Sequence, residues 1–277
     1  MQLFMPDVYV NDQFYSIRDA KIHALDAGLL FGAGLFETIL AIGGSPRLLS
    51  RHLERLRTSS RALGIPFSLT DEKAESIIGE LLERNRLTDK EARVKIIATP
   101  GDTGIHYSHR AETLIVTAEP YLRPPLEIPW KLTLLNAVNA SGITAHKSTS
   151  YLAYRSGLHS ARVEGFDDGI LLDRYGHVSE TTVASLLLFN EDGMIVPASP
   201  DALPGITAGI LQEICTDLGI AVQRVPVSAD DLLAGANICV CNALLGLFPV
   251  NRIDQTDIPA LPADQLQVLR TAWTDFS

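Results

Sequence analysis

One proline-rich stretch divides the chain, EPYLRPPLEIPW at residues 119–130. Four of these twelve residues are proline, which lacks a backbone N–H group and ends regular elements. Before this stretch, apolar residues follow helix spacing and strand spacing in turn, whereas after it short apolar strands dominate. We therefore predict an α/β (α+β two-domain) protein, with an N-terminal α/β domain at 1–118, a linker at 119–130 and a C-terminal domain at 131–277.

Turn residues and apolar spacing predict most of the elements. A hairpin is expected to turn at Asn11-Asp12, and Thr70 is expected to cap a helix. The predicted strands are 8–15 (the hairpin), 35–42, 93–99, 113–117, 131–135, 169–172, 177–180 and 185–189. The predicted helices are 48–63, the helix after Thr70, 151–164, 207–218 and 263–273.

Composition excludes several classes of function. A net charge of −10 disfavours nucleic acid as a partner, because phosphate binding needs a basic surface. The longest apolar stretches have strand length and are too short to span a membrane. Because no basic segment follows Met1, we expect no secretory signal and a soluble, cytoplasmic protein. The three cysteines and the histidines lack metal-site spacing, so no metal is expected.

Lysine is scarce, and one lysine lies where an amine could do chemistry. Lys147 is the last of six lysines, in AHKSTSY at residues 145–151, between a predicted strand and a predicted helix. Burial at such a junction lowers the pKa of an amine, which favours imine formation. Taken alone, the same residues are more typical of a solvated loop lysine.

Three other features could bind a phosphate or a heteroaromatic ring. The segment Leu203–Thr207 begins a helix, whose free N–H groups suit an anion. Arg55 could pair with a phosphate, and Glu180, at a strand end, could keep a ring nitrogen protonated. Each feature also has an ordinary structural interpretation, as a helix entry, a solvated charge and an edge-strand charge.

Five motifs occur in order along the chain. They are Asp26-x-Gly28-x-x-Phe31-Gly32-x-Gly34-x-Phe36-Glu37-Thr38, His52-Leu53-x-Arg55-Leu56, Lys147, Glu180 and Pro204-Gly205-Ile206-Thr207. This set, which covers nearly the whole chain, resembles the class IV aminotransferase family, the fold-type IV pyridoxal-phosphate enzymes. The family comprises branched-chain aminotransferases, D-amino-acid aminotransferases and aminodeoxychorismate lyases. The resemblance implies a smaller N-terminal α/β domain, a C-terminal pseudo-barrel domain and a pyridoxal 5′-phosphate cofactor between them.

The resemblance also implies a role for each motif. Lys147 would carry the cofactor as a Schiff base and move a proton, and Glu180 would keep the pyridine nitrogen cationic. The phosphate would be held by Arg55, the backbone amides of Ile206 and Thr207, the Thr207 hydroxyl and Asn242. Ser185 stands where many members have asparagine, so the hydrogen bonding at this position is not assigned.

The first motif bears on the choice of reaction. Both types of aminotransferase carry a basic residue where this chain has Leu40, and D-amino-acid enzymes have a carboxylate-binding arginine where it has Pro100. Thr38 is similar to the lyases, as is the pair Arg93 and Lys95. The two basic side chains would share one face of a strand, although a charged solvent face would look the same.

The resemblance therefore implies a lyase that removes pyruvate from 4-amino-4-deoxychorismate and yields 4-aminobenzoate, a folate precursor. Lys147 and Thr38 would be catalytic. The candidates for substrate binding are Phe36, Arg93, Lys95, His106 and Tyr151. Two alternatives stay open: a branched-chain or D-amino-acid aminotransferase, and a non-catalytic pyridoxal-phosphate binder.

Homodimerisation is a further implication of the resemblance. In the family, the loop after the third N-terminal strand reaches the active site of the neighbouring subunit, and here that loop is 101–109. The expected partners are thus a small-molecule substrate and a second copy of the chain, with no nucleic acid and no membrane.

Overall fold

The structure, a computed structural model, describes residues 5–102, 112–138 and 142–276. Two compact units compose the chain, Met1–Arg123 with His146–Tyr151 and Pro124–Ala145 with Leu152–Ser277. Each unit has its own sheet and helices, which confirms the predicted α+β two-domain class. The division between Arg123 and Pro124 falls within the proline-rich stretch, and the Lys147 segment belongs to the first unit. His106 and most of the loop at 101–109 lie outside the described residues.

The first unit contains an antiparallel sheet with the strand order β2-β1-β6-β5-β3-β4. Asn11 and Asp12 have φ angles of 43° and 68°, as a tight two-residue hairpin requires, so the predicted turn is confirmed. The strands are β1 Asp7–Val10, β2 Gln13–Ser16, β3 Leu35–Ile42, β4 Ser45–Pro46, β5 Ala92–Thr99 and β6 Thr113–Pro120.

Three helices accompany this sheet, α1 Ala27–Phe31, α2 Leu49–Leu63 and α3 Asp71–Arg84. The Thr70 side chain accepts a hydrogen bond from the Lys73 amide at 3.3 Å, which confirms the predicted cap. The apolar residues of α2 and α3 pack on one face of the sheet and form the core of the unit. Its fully buried members include Leu35, Ile39, Leu53, Ile78, Leu81, Leu82, Val94 and Ile96.

The second unit contains a larger sheet with the order β12-β11-β10-β13-β14-β7-β8-β9, and β15 pairs with β14. Three of its pairs are parallel, β11 with β12, β14 with β7, and β7 with β8. The strands are β7 Trp130–Val138, β8 Asp168–Leu172, β9 Val178–Thr181, β10 Ser185–Asn190, β11 Gly193–Pro197, β12 Val222–Val225, β13 Asn237–Asn242, β14 Gly246–Ile253 and β15 Thr256–Asp257. The helices are α4 Leu152–Val163, α5 Ile206–Asp217, α6 Ala229–Leu232 and α7 Ala263–Asp275.

Cys239 and Cys241 are buried on β13, as expected for small apolar side chains in an interior strand. Burial raises the pKa of the Cys239 thiol to about 12, so this thiol stays protonated and unreactive at neutral pH. In the described ranges, no helix combines the length and the apolar character needed to cross a membrane.

Candidate active site

Lys147 lies in a segment that extends the first sheet beyond the edge of β3. The Phe36 amide donates to the Lys147 carbonyl at 2.8 Å, and the Thr149 amide donates to the Gly34 carbonyl at 2.8 Å. The Thr149 hydroxyl donates to the carbonyl of Gly32 at 2.8 Å. A Cβ on Gly34 would lie 2.8 Å from Thr149 Oγ1, so this glycine of the first motif lets the lysine segment approach the strand.

Aromatic rings surround the Lys147 amine. Its Nζ lies 4.8 Å from the centroid of the Phe36 ring and 6.0 Å from that of Tyr151. The two rings contact edge to face, with centroids 5.3 Å apart and planes at 87°. Lys95 Nζ also lies 4.6 Å from the Phe36 centroid. The side-chain nitrogens of two lysines therefore converge on one ring, whose quadrupole attracts a cationic group.

The pairing of β3 with β5 sets which side chains meet on this face. Thr38 is directly opposite Lys95, and Leu40 is directly opposite Arg93. Because side chains alternate along a strand, Phe36, Thr38, Lys95 and Arg93 share one face, as predicted for the basic pair.

The two members of the basic pair differ in their surroundings. Arg93 forms an ion pair with Glu119 at 2.6 Å, in which both side chains are about half exposed. Lys95 is half-buried beside Phe36. The structure thus brings Lys95 and Thr38 to the Lys147 cluster and leaves Arg93 in a surface ion pair.

On the opposite face of β3, Glu37 forms a buried polar cluster with two residues of α2. Arg55 donates to Glu37 from Nε at 2.8 Å and from Nη2 at 2.7 Å. His52 Nδ1 lies 2.7 Å from Glu37 Oε2. Glu37 and His52 are 0% and 1% exposed. A buried carboxylate needs such partners, because an unpaired charge in the interior is strongly unfavourable.

The charges of this cluster follow from the balance of burial and pairing. Burial raises the pKa of Glu37, but the Arg55 charge and the hydrogen bonds from His52 and Arg55 outweigh it and lower the pKa to about 2. Burial lowers the pKa of His52, and Arg55 and Lys147 lower it further, against the opposing effect of Glu37. His52 is therefore neutral at pH 7. Because Glu37 is ionised, the proton of His52 must be on Nδ1, which donates to the carboxylate.

Arg55 was the one member of this cluster that sequence reasoning selected as a site residue. Glu37 and His52 stood in the quoted motifs without a role. The spacing of His52 and Arg55, three residues apart on one helix, places them on one face. That shared face was the signal that could have identified a common partner.

In the second unit, Glu180 lies on β9 and is 6% exposed. Its Oε1 accepts a hydrogen bond of 2.8 Å from the Tyr154 hydroxyl. Its Oε2 accepts a longer one of 3.4 Å from the Leu203 amide. Tyr154, in the first turn of α4, was not singled out from the sequence, because a tyrosine in an amphipathic helix is ordinarily a core residue.

The start of α5 combines free amides with a buried hydroxyl. Gly205 is the N-cap and has no side chain to bond the first amides of the helix. Thr207 is 2% exposed, and within the described residues its Oγ1 has no hydrogen-bond partner. A Cβ on Gly205 would collide with Ser185 Oγ, so a larger residue here would displace the Ser185 hydroxyl. An unpartnered buried hydroxyl beside a helix N-terminus fits the binding of an anion.

Asn242 holds the turn between β13 and β14. Its Oδ1 accepts from the amides of Leu244 and Leu245 at 3.0 and 2.9 Å, and its Nδ2 donates to the Val183 carbonyl at 3.1 Å. These bonds fix the loop, and a contact of Asn242 with phosphate stays a prediction.

Known proteins resemble this chain over most of its length. A protein of Methanocaldococcus jannaschii to which branched-chain-amino-acid aminotransferase activity is ascribed is 29% identical over 259 residues, 89% of this chain and 88% of that protein. The aminodeoxychorismate lyase of Bacillus subtilis is 26% identical over 260 residues, 90% of this chain and 87% of the lyase.

A solved structure from Legionella pneumophila, to which 4-amino-4-deoxychorismate lyase activity is ascribed, is 25% identical. It matches with a TM-score of 0.85 and covers 94% of this chain and 97% of that chain.

The family model for the amino-transferase class IV matches residues 34–253, which is well over half of the chain. The matched range begins at a glycine of the first motif and includes Lys147, Glu180 and the start of α5. Class IV aminotransferases are pyridoxal-phosphate enzymes, which confirms the predicted cofactor. The chain belongs to the class IV aminotransferase family.

Proposed function

We propose that the protein is a pyridoxal-phosphate-dependent lyase that converts 4-amino-4-deoxychorismate to 4-aminobenzoate and pyruvate. The observation that carries the proposal is the pairing of Thr38 with Lys95 on the face where Lys95 and Lys147 both approach the Phe36 ring. This substrate has two carboxylates on an unsaturated ring that becomes aromatic in the product, so a second ammonium group beside an aromatic side chain suits it. A branched-chain amino acid has one carboxylate and an aliphatic side chain, so in an aminotransferase only the second carboxylate of 2-oxoglutarate would use that ammonium group.

The residues at the start of α5 fit the phosphate of the cofactor. The buried Thr207 hydroxyl, for which the described residues offer no partner, would donate to a phosphate oxygen, and the amides of Ile206 and Thr207 would add the attraction of the helix terminus. Arg55 and Asn242 are the other proposed phosphate ligands. Glu37 holds the Arg55 guanidinium in a fixed plane, so this ligand is preorganised.

Pyridoxal phosphate supplies an electron sink when it is bound. We assign the covalent attachment of the cofactor to Lys147. Once the substrate amine has displaced Lys147 from the cofactor, the freed Nζ would take the proton from the substrate ring carbon. Glu180 provides the carboxylate for the pyridine nitrogen. The Thr38 hydroxyl orients or protonates the departing pyruvyl group, and Lys95 binds a substrate carboxylate.

A second candidate is a branched-chain aminotransferase. The observation that favours it is the resemblance to the Methanocaldococcus jannaschii protein, which is as extensive as that to the Bacillus subtilis lyase. Leu40 disfavours this candidate. Its side chain is buried, with 2% exposed, and it supplies no charge where the aminotransferases carry a basic residue.

The deciding experiment incubates the purified holoprotein with 4-amino-4-deoxychorismate and, separately, with leucine or D-alanine plus 2-oxoglutarate. We expect 4-aminobenzoate and pyruvate in equal amounts, and little transamination. Lys95→Ala should raise KM for the lyase substrate, whereas Lys131→Ala, at an exposed lysine, serves as the matched control. Rapid transamination without 4-aminobenzoate would establish the second candidate, and turnover of neither kind would indicate a non-catalytic binder.

We also propose a cytoplasmic homodimer. Leu29, Leu30 and Phe31 of α1 are 69%, 50% and 63% exposed, and such a group of apolar side chains is typical of a protein interface. Light scattering of the holoprotein tests the dimer, and Leu29→Asp should shift it toward monomer. A fully active monomer at working concentration would contradict this proposal.

A further inference from the structure

Tyr154 makes the shorter of the two hydrogen bonds described for Glu180. The phenol of Tyr154 lies 2.8 Å from Oε1, which is an ordinary length for an O–H donor to a carboxylate oxygen. The Leu203 amide contacts Oε2 at 3.4 Å, close to the limit for a hydrogen bond. Of these two bonds, the one from Tyr154 therefore constrains the carboxylate more strongly than the one from the Leu203 amide.

Both residues lie on regular secondary-structure elements. Glu180 lies on β9, which pairs with β8, and Tyr154 lies in the first turn of the twelve-residue helix α4. Glu180 is 6% exposed and Tyr154 is half-buried, so water competes little for the bond. A hydrogen bond to a charged acceptor in such surroundings is stronger than one between neutral groups.

We propose that Tyr154 is a positioning residue that holds the Glu180 carboxylate for the pyridine nitrogen of the cofactor. The inference rests on the proposed role of Glu180 and adds a residue that acts through it. The phenol restricts rotation of the carboxylate about its last torsion and stabilises its charged form. Both effects strengthen the pairing of Glu180 with a protonated ring nitrogen, and that pairing governs the electron-withdrawing power of the ring.

The test substitutes Tyr154→Phe, which removes one oxygen and keeps the ring. In the holoprotein we expect the dissociation constant of pyridoxal phosphate to rise about tenfold, as the loss of a charge-assisted hydrogen bond implies. The visible absorbance of the bound cofactor should change its dependence on pH, and kcat should fall while KM changes little. The matched control is Tyr175→Phe, at a tyrosine of the second unit that is 68% exposed, and it should alter none of these quantities.

A double-mutant cycle with Glu180→Gln separates a positioning role from a general effect on folding. If Tyr154 acts through Glu180, Tyr154→Phe should have a much smaller effect in the Glu180→Gln background than in the wild type. An equal effect in both backgrounds would overturn the inference, because Tyr154 would then act independently of the carboxylate.

Two other outcomes distinguish the inference from the function on which it rests. If Glu180→Gln weakens cofactor binding and Tyr154→Phe behaves like Tyr175→Phe, the inference is wrong and the role of Glu180 stands. If Glu180→Gln changes neither the affinity nor the spectrum, the role of Glu180 is wrong, and the inference fails with it. Because the affinity and the spectrum do not depend on turnover, the cycle can be read in a protein without activity.

Discussion

Arg55 donates two parallel hydrogen bonds to the Glu37 carboxylate, at 2.8 and 2.7 Å. The pair joins strand β3 to helix α2, and Glu37 alternates along β3 with Phe36 and Thr38, which face the Lys147 cluster. The plane of the guanidinium is thus fixed by a buried partner before any ligand binds. An arginine held in this way loses less conformational entropy when it engages a phosphate.

Removing the Glu37 charge should destabilise the fold. Glu37→Gln removes the carboxylate charge that pairs with the Arg55 guanidinium, whose side chain is 13% exposed, and breaking such a pair costs about 3–5 kcal/mol. Urea unfolding of the cofactor-free protein measures this loss. Glu119→Gln is the matched control, because it breaks a half-exposed ion pair with Arg93, which is worth about 1 kcal/mol or less. If the free energy of unfolding fell equally in the two variants, the buried pair would not stabilise the fold more than the exposed pair does.

Acid should unfold the protein partly through this cluster. The pKa of Glu37 is about 2 in the folded protein against an ordinary 4.5, so its contribution is fully present above pH 4.5 and is lost as pH falls toward 2. The difference corresponds to about 3 kcal/mol. The pKa of His52 is also lowered, from 6.5, so protonation of His52 favours unfolding as pH falls below 6.5. The free energy of unfolding should therefore decrease steadily with acidification, and Glu37→Gln should flatten the curve below pH 4.5.

The attachment site of the cofactor can be identified directly. Borohydride reduction of the yellow holoprotein should fix the cofactor on Lys147, and peptide mass spectrometry should find the adduct there. Lys147→Ala should lose the visible band and the activity, whereas Lys95→Ala should keep the band. An adduct on Lys95, which also lies beside Phe36, would refute the assignment.

The Thr207 hydroxyl should matter to the cofactor and not to the fold. Thr207→Val removes a buried hydroxyl for which the described residues offer no partner, so the cofactor-free protein should be as stable as the wild type or more stable. The affinity for pyridoxal phosphate should fall about tenfold. Thr181→Val is the contrasting control, because the Thr181 hydroxyl donates to the Ala184 carbonyl at 3.0 Å and accepts from the Ala184 amide at 2.9 Å. The loss of these bonds should cost about 1–3 kcal/mol. If Thr207→Val destabilised the cofactor-free protein, the Thr207 hydroxyl would contribute to folding stability, contrary to this prediction.

Removal of the Thr38 hydroxyl should impair the proposed lyase reaction. Thr38→Val keeps the shape and the strand propensity of the side chain and should keep the cofactor band and the melting temperature. Formation of 4-aminobenzoate should fall by about 10²–10⁴-fold, the usual contribution of a positioned proton donor. Steady-state lyase assays of the wild type and of Thr38→Val measure this loss. Full lyase activity in Thr38→Val would remove Thr38 from the mechanism and leave the proposed function intact.

The sequence by itself determined most of the longer elements, the family and the cofactor, whereas β4, β11, β12, β15, α1 and α6 were not predicted. Local rules suffice for the Asn11-Asp12 hairpin, the Thr70 cap and the strand at 35–42, because each depends on neighbours within a few residues. The ordered motifs identified the family by resemblance, and the roles that this resemblance implies agree with the chemistry of lysine and glutamate. The common face of Arg93 and Lys95 also followed from strand periodicity alone.

Tertiary structure decided which of these residues have partners. Glu37 meets Arg55 eighteen residues away, and Glu180 meets Tyr154 twenty-six residues away. Such contacts depend on how strands and helices pack, and spacing along the chain carries no record of that packing. Arg93 and Lys95 share one face, yet one is in a surface ion pair and the other lies against Phe36. Burial and the choice of partner, which set charge and reactivity, arise only when distant segments exclude water together.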